Sequence, residues 1–97
     1  MLVALMRLDL RIPGCRSLKE KRQVVKSLIG GIRSKFNVSV AESGYQDLWQ
    51  RSELAVAIAA GEGHHARTVA SEVLRFIETF PKVEVLDHET TVHSQDD

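Results

Sequence analysis

From Leu2 to Ile12 every even position is apolar: Leu2, Ala4, Met6, Leu8, Leu10 and Ile12. The odd positions begin as Val3 and Leu5 and then become Arg7, Asp9 and Arg11. A period of two with one face apolar throughout predicts a strand covered on that face. Pro13-Gly14 breaks it. Ser17-Leu18-Lys19-Glu20 then has the form of a capping box, in which a serine hydroxyl and a glutamate carboxylate accept from free amides at a helix start. The period changes accordingly, and Leu18, Val25, Leu28, Ile29, Ile32 and Phe36 form one helical stripe with Val24 at its margin. Gly30-Gly31 weakens the late turns by about 1 kcal/mol per glycine relative to alanine, so fraying or a bend is expected there.

Asn37–Ala41 returns to alternation, and its valines favour extended chain. Its expected partner is Ser52–Ala60, where Leu54, Val56, Ile58 and Ala60 point one way and Ala55, Ala57 and Ala59 the other. A strand apolar on both faces belongs in the middle of a sheet. The intervening Glu42–Arg51, with Tyr45 and Trp49, is long for a tight turn and suits a hairpin arm. After Gly61-Glu62-Gly63, the residues Ala66, Val69, Ala70, Val73, Ile77 and Phe80 mark a second amphipathic helix, stopped by Pro81. Val83, Val85 and Leu86 predict a short last strand before the polar residues from Asp87 onward. Residues 1–92 are expected to form one domain and His93–Asp97 a mobile tail.

The order β-α-β-β-α-β is the split βαβ pattern. It predicts an α+β, ferredoxin-like sandwich: a four-stranded antiparallel sheet with both helices on one face. Right-handed crossovers place the first and third strands side by side at the centre. The uncovered face then carries Val3, Leu5, Ala55, Ala57 and Ala59 among polar neighbours.

Composition narrows the class. The chain has 97 residues, 43% of them hydrophobic, which suits one ordinary globular domain. The longest apolar runs, Leu2–Met6 and Leu54–Ala60, fall far short of the ~20 residues that cross a bilayer. Arg7 and Asp9 follow the first run too soon for a signal peptide, so a cytoplasmic location is expected. Cys15 is the single cysteine, which excludes an internal disulfide and a cysteine-rich zinc site. No composition feature points to catalysis, and no cofactor or small-molecule substrate is expected.

Net charge is zero, but residues 1–36 hold nine Lys or Arg against Asp9 and Glu20. At about 100° per residue, Lys19, Arg22, Lys26 and Arg33 share a narrow arc beside the apolar stripe, with Arg16 at its approach. Together with free amides at the helix start, such a ridge could hold phosphates of RNA or another polyanion. A solvated face that keeps the protein in solution is the alternative. Aromatic residues are only 5%, with none on the first or third strand, so the stacking platform of an RNA-recognition sheet is absent. Any nucleic-acid contact is expected with backbone and shape.

The remaining candidates carry less. Adjacent His64 and His65 point about 100° apart on a helix start, and with His88 and His93 they give no metal-ligand spacing. Cys15 precedes a helix, a setting that favours a thiolate, but has no base nearby in sequence. Glu42, Asp47 and Glu53 are explained by surface solvation. Trp49, among polar residues, either anchors a partner or folds back over the sheet edge; the sequence leaves both open.

Ile12-Pro13-Gly14-Cys15-Arg16-Ser17-Leu18-Lys19-Glu20-Lys21-Arg22, Val24-Val25-Lys26-Ser27-Leu28, Phe36-Asn37-Val38-Ser39-Val40-Ala41-Glu42 and Gln46-Asp47-Leu48-Trp49-Gln50-Arg51 together resemble the YlxP-like family of small bacterial proteins. The resemblance runs from Leu2 to about Glu89 and rests on several motifs in matching order. It implies a ferredoxin-like fold and a gene placed among translation-initiation and ribosome-maturation genes. It implies no catalytic residues, and it adds interest to Arg16, Lys19, Arg22 and Trp49.

The expected function is a non-enzymatic accessory protein of translation or ribosome maturation. It would bind ribosomal or other structured RNA, or a ribonucleoprotein, through Arg16, Lys19, Arg22, Lys26 and Arg33. The alternative is a homodimer formed through the open sheet face (Val3, Leu5, Ala55, Ala57, Ala59) or an exposed strand edge, with Trp49 as a further partner contact. A hydrolase of the acylphosphatase type shares the fold, but Pro13–Ser17 leads into a capped helix instead of a glycine-rich phosphate loop.

Overall fold

The computed structural model describes residues 1–95. Its elements are β1 (Leu2–Arg11), α1 (Leu18–Lys35), β2 (Ser39–Gly44), β3 (Arg51–Ala60), α2 (Gly63–Glu78) and β4 (Glu84–Ser94). The strands form one sheet in the order β2-β3-β1-β4, antiparallel throughout, with β1 and β3 at the centre. The alternation in β1 is realised as written: Ala4, Met6, Leu8 and Leu10 are buried, and their neighbours face the other side. They meet Leu54, Val56 and Ile58 of β3 on the sheet. Above them lie Val25, Leu28 and Ile32 of α1 and Ala66, Ala70, Val73 and Ile77 of α2, so one core sits between sheet and helices.

The glycine pair neither frays nor ends α1, which is continuous to Lys35. A Cβ on Gly31 would stand 2.9 Å from Phe76 Cζ, whereas one on Gly30 would meet nothing within 4 Å. Gly31 is where α2 approaches α1, and that packing outweighs the local helix propensity. Phe76 itself stands edge-on to Phe36 and tilted against Phe80, with ring centroids 5.9 Å apart in each pair.

Two expectations about the C-terminal region are corrected. The last strand is not short: β4 runs eleven residues, through Asp87, His88, Glu89, Thr90 and Thr91 to Ser94. Val83, expected within it, is buried just ahead of it. His93 and Ser94 are not a tail, because they pair with Val3 and Leu2, and the Gln95 N–H donates to the Met1 carbonyl at 3.2 Å. Asp96 and Asp97 lie outside the described residues. Apolar periodicity marked only the start of this strand, because it is an edge element in which only Val85 and Val92 are even partly buried. The backbone of β1 dictates the pairing, not side-chain burial. β2 is also shifted, starting at Ser39 and extending to Gly44, past a bulge between Glu42 and Gly44.

Candidate nucleic-acid interface

The capping box forms. Ser17 Oγ accepts from the Glu20 N–H at 3.1 Å, and Glu20 Oε2 accepts in turn from the Arg16 N–H at 3.2 Å. Glu20 and Ser17 therefore take two of the amides around the helix start, those of Arg16 and Glu20, and Glu20 competes there with any incoming anion.

The cations of α1 and its approach divide into four kinds, of which buried Lys21 is the last. Arg16, Lys19, Arg22 and Lys26 are exposed and make no ion pair among the described residues. Arg33 lies on the same flank, but its guanidinium donates to the Val40 carbonyl of edge strand β2 at 2.9 Å, so it braces the fold as well as lining the surface. Lys35 sits over the Phe36 and Phe76 rings at 5.6 and 5.5 Å. Between α1 and β2 runs a groove with Arg22, Lys26 and Arg33 on one wall and Val40, Ala41 and Glu42 on the other.

Lys21 is the residue that reading by charge missed. It is wholly buried, yet all three of its ammonium donors are used: Glu42 Oε2 at 2.8 Å, the Tyr45 carbonyl at 2.8 Å and the Gln46 carbonyl at 3.1 Å. Ser52 Oγ donates to the same Glu42 oxygen at 2.6 Å. Glu42 is thus no solvated surface carboxylate, and its charge on the groove wall is already neutralised. The available signal was position: at 100° per residue Lys21 falls in the middle of the apolar stripe, ahead of Val24, Val25 and Leu28. A lysine at such a place demands a buried partner.

This clasp sets the β2–β3 loop. Tyr45 is held in the left-handed region, with φ 57°, a conformation that costs about 1–3 kcal/mol unless surroundings impose it. Its carbonyl takes both Lys21 and the Leu48 N–H, and its ring lies 4.6 Å from the Arg51 guanidinium. Gln50 completes the tie, donating from its side chain to the Cys15 carbonyl at 3.2 Å and accepting from the Ile12 N–H at 2.9 Å. The loop is thereby fastened beside the approach to α1, leaving Leu48 and Trp49 exposed, Trp49 at 51%. Trp49 does not fold back as a core plug. Cys15 is buried, with its thiol directed to the Ser17 carbonyl at 3.4 Å.

On the open sheet face the arginines are paired with carboxylates, although Arg51 Nε is buried without a partner among the described residues. Arg51 meets Asp9 at 2.7 Å, Arg7 meets Asp87 at 3.1 Å and Glu53 at 3.8 Å, and Arg11 meets Glu84 at 3.9 Å. Glu53 also accepts from Ser43 Oγ at 2.9 Å, so it too is tied into the sheet and not simply solvated. The hydrogen bond from Arg7 holds the Asp87 carboxyl below its usual range, helped by the His88 N–H. The bonds to Asp87 and Asp9 raise Arg7 and Arg51 above the ordinary guanidinium value. Val3 and Ala57 are half-buried on the remaining part of this face, and Leu5, Ala55 and Ala59 are exposed. His64 and His65 open α2, His88 and His93 lie on β4, and no cluster of three His, Cys, Asp or Glu side chains forms among the described residues.

Residues 3–90 match the profile of a family described as "Protein of unknown function (DUF503)". The chain is 43% identical over 68 residues to "Uncharacterized protein YlxP" of Bacillus subtilis (strain 168), covering 70% of this chain and 74% of that protein. Among solved structures it is similar to the de novo designed protein LFR1 1 with ferredoxin fold, at a TM-score of 0.53 and 14% identity, covering 100% and 88% of the two chains. De novo designed protein Foldit4 is similar at a TM-score of 0.53 and 11% identity, covering 97% and 99%. These two likenesses concern the fold alone.

Proposed function

The chain belongs to the DUF503 family of YlxP-like proteins, with a ferredoxin-like fold, and from that premise we propose that it is a non-enzymatic accessory protein of translation or ribosome maturation. It binds structured RNA, ribosomal RNA or a ribonucleoprotein in the cytoplasm. One observation carries this reading: among the described residues, four cations without a carboxylate partner are gathered on a single flank, while others without one, Arg67, Arg75 and Lys82, lie on α2 or after it. Arg7, Arg11, Lys21 and Arg51 each face a carboxylate, whereas Arg16, Lys19, Arg22 and Lys26 stand together on one exposed flank without one. A row of unneutralised charge attracts a polyanion and releases its counterions on contact. Arg33 closes the end of the row, and Trp49 stands at the other end, one residue from the Gln50–Cys15 bond that leads to Arg16. The gene neighbourhood that the YlxP-like resemblance implies favours RNA over other polyanions.

Filter binding to purified ribosomal RNA tests the proposal. With four phosphates engaged, log affinity falls against log salt with a slope of about −3.6 on duplex RNA and about −2.8 on single strands, taking the per-phosphate values known for nucleic acids. The triple variant K19E/R22E/K26E, altered only at exposed positions, loses binding with its circular dichroism unchanged. Retention of wild-type affinity by that variant, or a flat salt response, refutes the proposal.

A second reading, association through the open face, draws on the exposed Leu5 with Ala55 and Ala59 around it. Ala57→Glu would convert such a dimer to a monomer in light scattering, and unchanged mass in that variant dismisses it.

A further inference from the structure

The two edges of the sheet are treated differently. Edge β2 is six residues long, ends in a bulge, and has its Val40 carbonyl taken by Arg33. Edge β4 is eleven residues long, contains no proline, lysine or arginine, and is exposed over nearly its whole length. Short edges, bulges, prolines and charged side chains, lysine above all, are the usual means by which a sheet avoids adding further strands. β4 has one bulge near its start, between its pairings with Asp9 and Leu10, and from Asp87 to Ser94 it has, of these means, only the two carboxylates Asp87 and Glu89, with no proline or lysine.

The ladder identifies which backbone groups are available. Gln95 donates to Met1 directly opposite, continuing the register in which Ser94 faces Leu2 and His93 faces Val3. Antiparallel neighbours alternate between bonded and non-bonded pairs, so Asp87, Glu89, Thr91 and His93 turn their N–H and C=O toward β1. His88, Thr90, Val92 and Ser94 turn theirs outward, and of these the His88 N–H is bonded to Asp87 Oδ1 at 2.9 Å within the chain. Beside them on the helix side lies a groove formed with Arg67, Ser71 and Leu74 of α2, roofed by nothing in this chain.

We propose that this edge pairs with β4 of a second copy of the same chain, antiparallel about a two-fold axis at Thr90–Thr91, joining two four-stranded sheets into one. Charge selects the occupant and the register. A centre at His88 would put Asp87 across from the copy's Glu89, and a centre at Glu89 would put that residue against itself; like charges directly opposite destabilise a pair. Centred on Thr90, His93 stands across from the copy's Asp87. One residue further, it stands across from Glu89. With Thr90 at the centre, Thr90 exchanges both backbone bonds with its counterpart and the His88 carbonyl accepts from the copy's Val92, while the His88 N–H, which donates to Asp87 Oδ1 at 2.9 Å, exchanges that bond for one to the copy's Val92 carbonyl. This surface is separate from both the basic flank of α1 and the open face.

Sedimentation velocity on the full chain tests the proposal, with circular dichroism as the control for folding. Wild type sediments as a dimer. Thr90→Pro, which deletes an outward N–H, and Thr90→Lys, which sets a positive charge on the edge, each yield a 10.8 kDa monomer with native dichroism. Leu5→Glu and K19E/R22E/K26E remain dimeric. A wild-type monomer at every concentration overturns the proposal, as does a dimer that survives Thr90→Lys or is lost with Leu5→Glu alone. Should Thr90→Pro fail to fold, Thr90→Lys alone decides, since that side chain is exposed.

Discussion

Replacing Lys21 by methionine keeps most of the buried stem and removes only the ammonium. Three groups feel the loss. The Tyr45 carbonyl still accepts from the Leu48 N–H and Glu42 keeps its bond from Ser52, so the groups left worst off are the Gln46 carbonyl and a largely buried, unneutralised Glu42 carboxylate. Removing one member of a buried ion pair costs about 3–5 kcal/mol, and the residual partners of Glu42 place this case at the lower end, about 3 kcal/mol. Against a total of about 5–15 kcal/mol for a domain, that is a large fraction. It corresponds to a fall of about 12–24 °C in Tm for a chain of this size. Urea unfolding followed by far-ultraviolet circular dichroism measures it, and Trp49 emission reports the release of the loop. The double variant K21M/E42Q should cost at least about 1 kcal/mol less than the two single changes added together, because the second change removes the stranded charge. A loss under about 1 kcal/mol in K21M, or strict additivity in the double variant, refutes the view that this clasp holds the loop.

Gly30→Ala is expected to stabilise by up to about 1 kcal/mol through helix propensity. Gly31→Ala must push the Phe76 ring aside and should fall at least about 1 kcal/mol below Gly30→Ala in the same urea assay; equal stability of the two would contradict the packing described. For Asp87, the folded carboxyl lies below its unfolded value, so its contribution is full above about pH 4 and disappears as the pH falls through the folded value. The stability gap between wild type and Asp87→Asn should accordingly narrow below about pH 4, and a gap independent of pH there would exclude the Arg7–Asp87 bond as its source. Cys15 should react with a thiol reagent in native protein far more slowly than free cysteine, and the rate should climb through the urea transition; rapid native labelling would show that the site is open.

Where a residue's own periodicity controls its fate, the fold was legible in advance. The alternation of Leu2–Ile12, the capping box at Ser17 and the stripe beginning at Leu18 and Val25 each named an element, and topology rules then set β1 beside β3. The flank of Arg16, Lys19, Arg22 and Lys26 was legible for the same reason, since 100° per residue is a property of any helix. The continuation of β4 past Leu86 escaped because its extended form comes from hydrogen bonding to β1, which leaves no trace in its own apolar spacing. Lys21 escaped because charge was counted without asking which side of α1 each cation occupies.

By itself the amino-acid order determined the kind and succession of elements and the side of each that is apolar, because these follow from short-range stereochemistry and solvent exclusion. Only the tertiary arrangement decided which charges are neutralised. Lys21 meets Glu42, Arg7 meets Asp87 and Arg51 meets Asp9 across 21, 80 and 42 residues of chain, distances over which no local pattern constrains pairing. The unneutralised flank of α1 and the uncovered edge of β4 are what remains after those partners have been assigned, so both are properties of the folded chain.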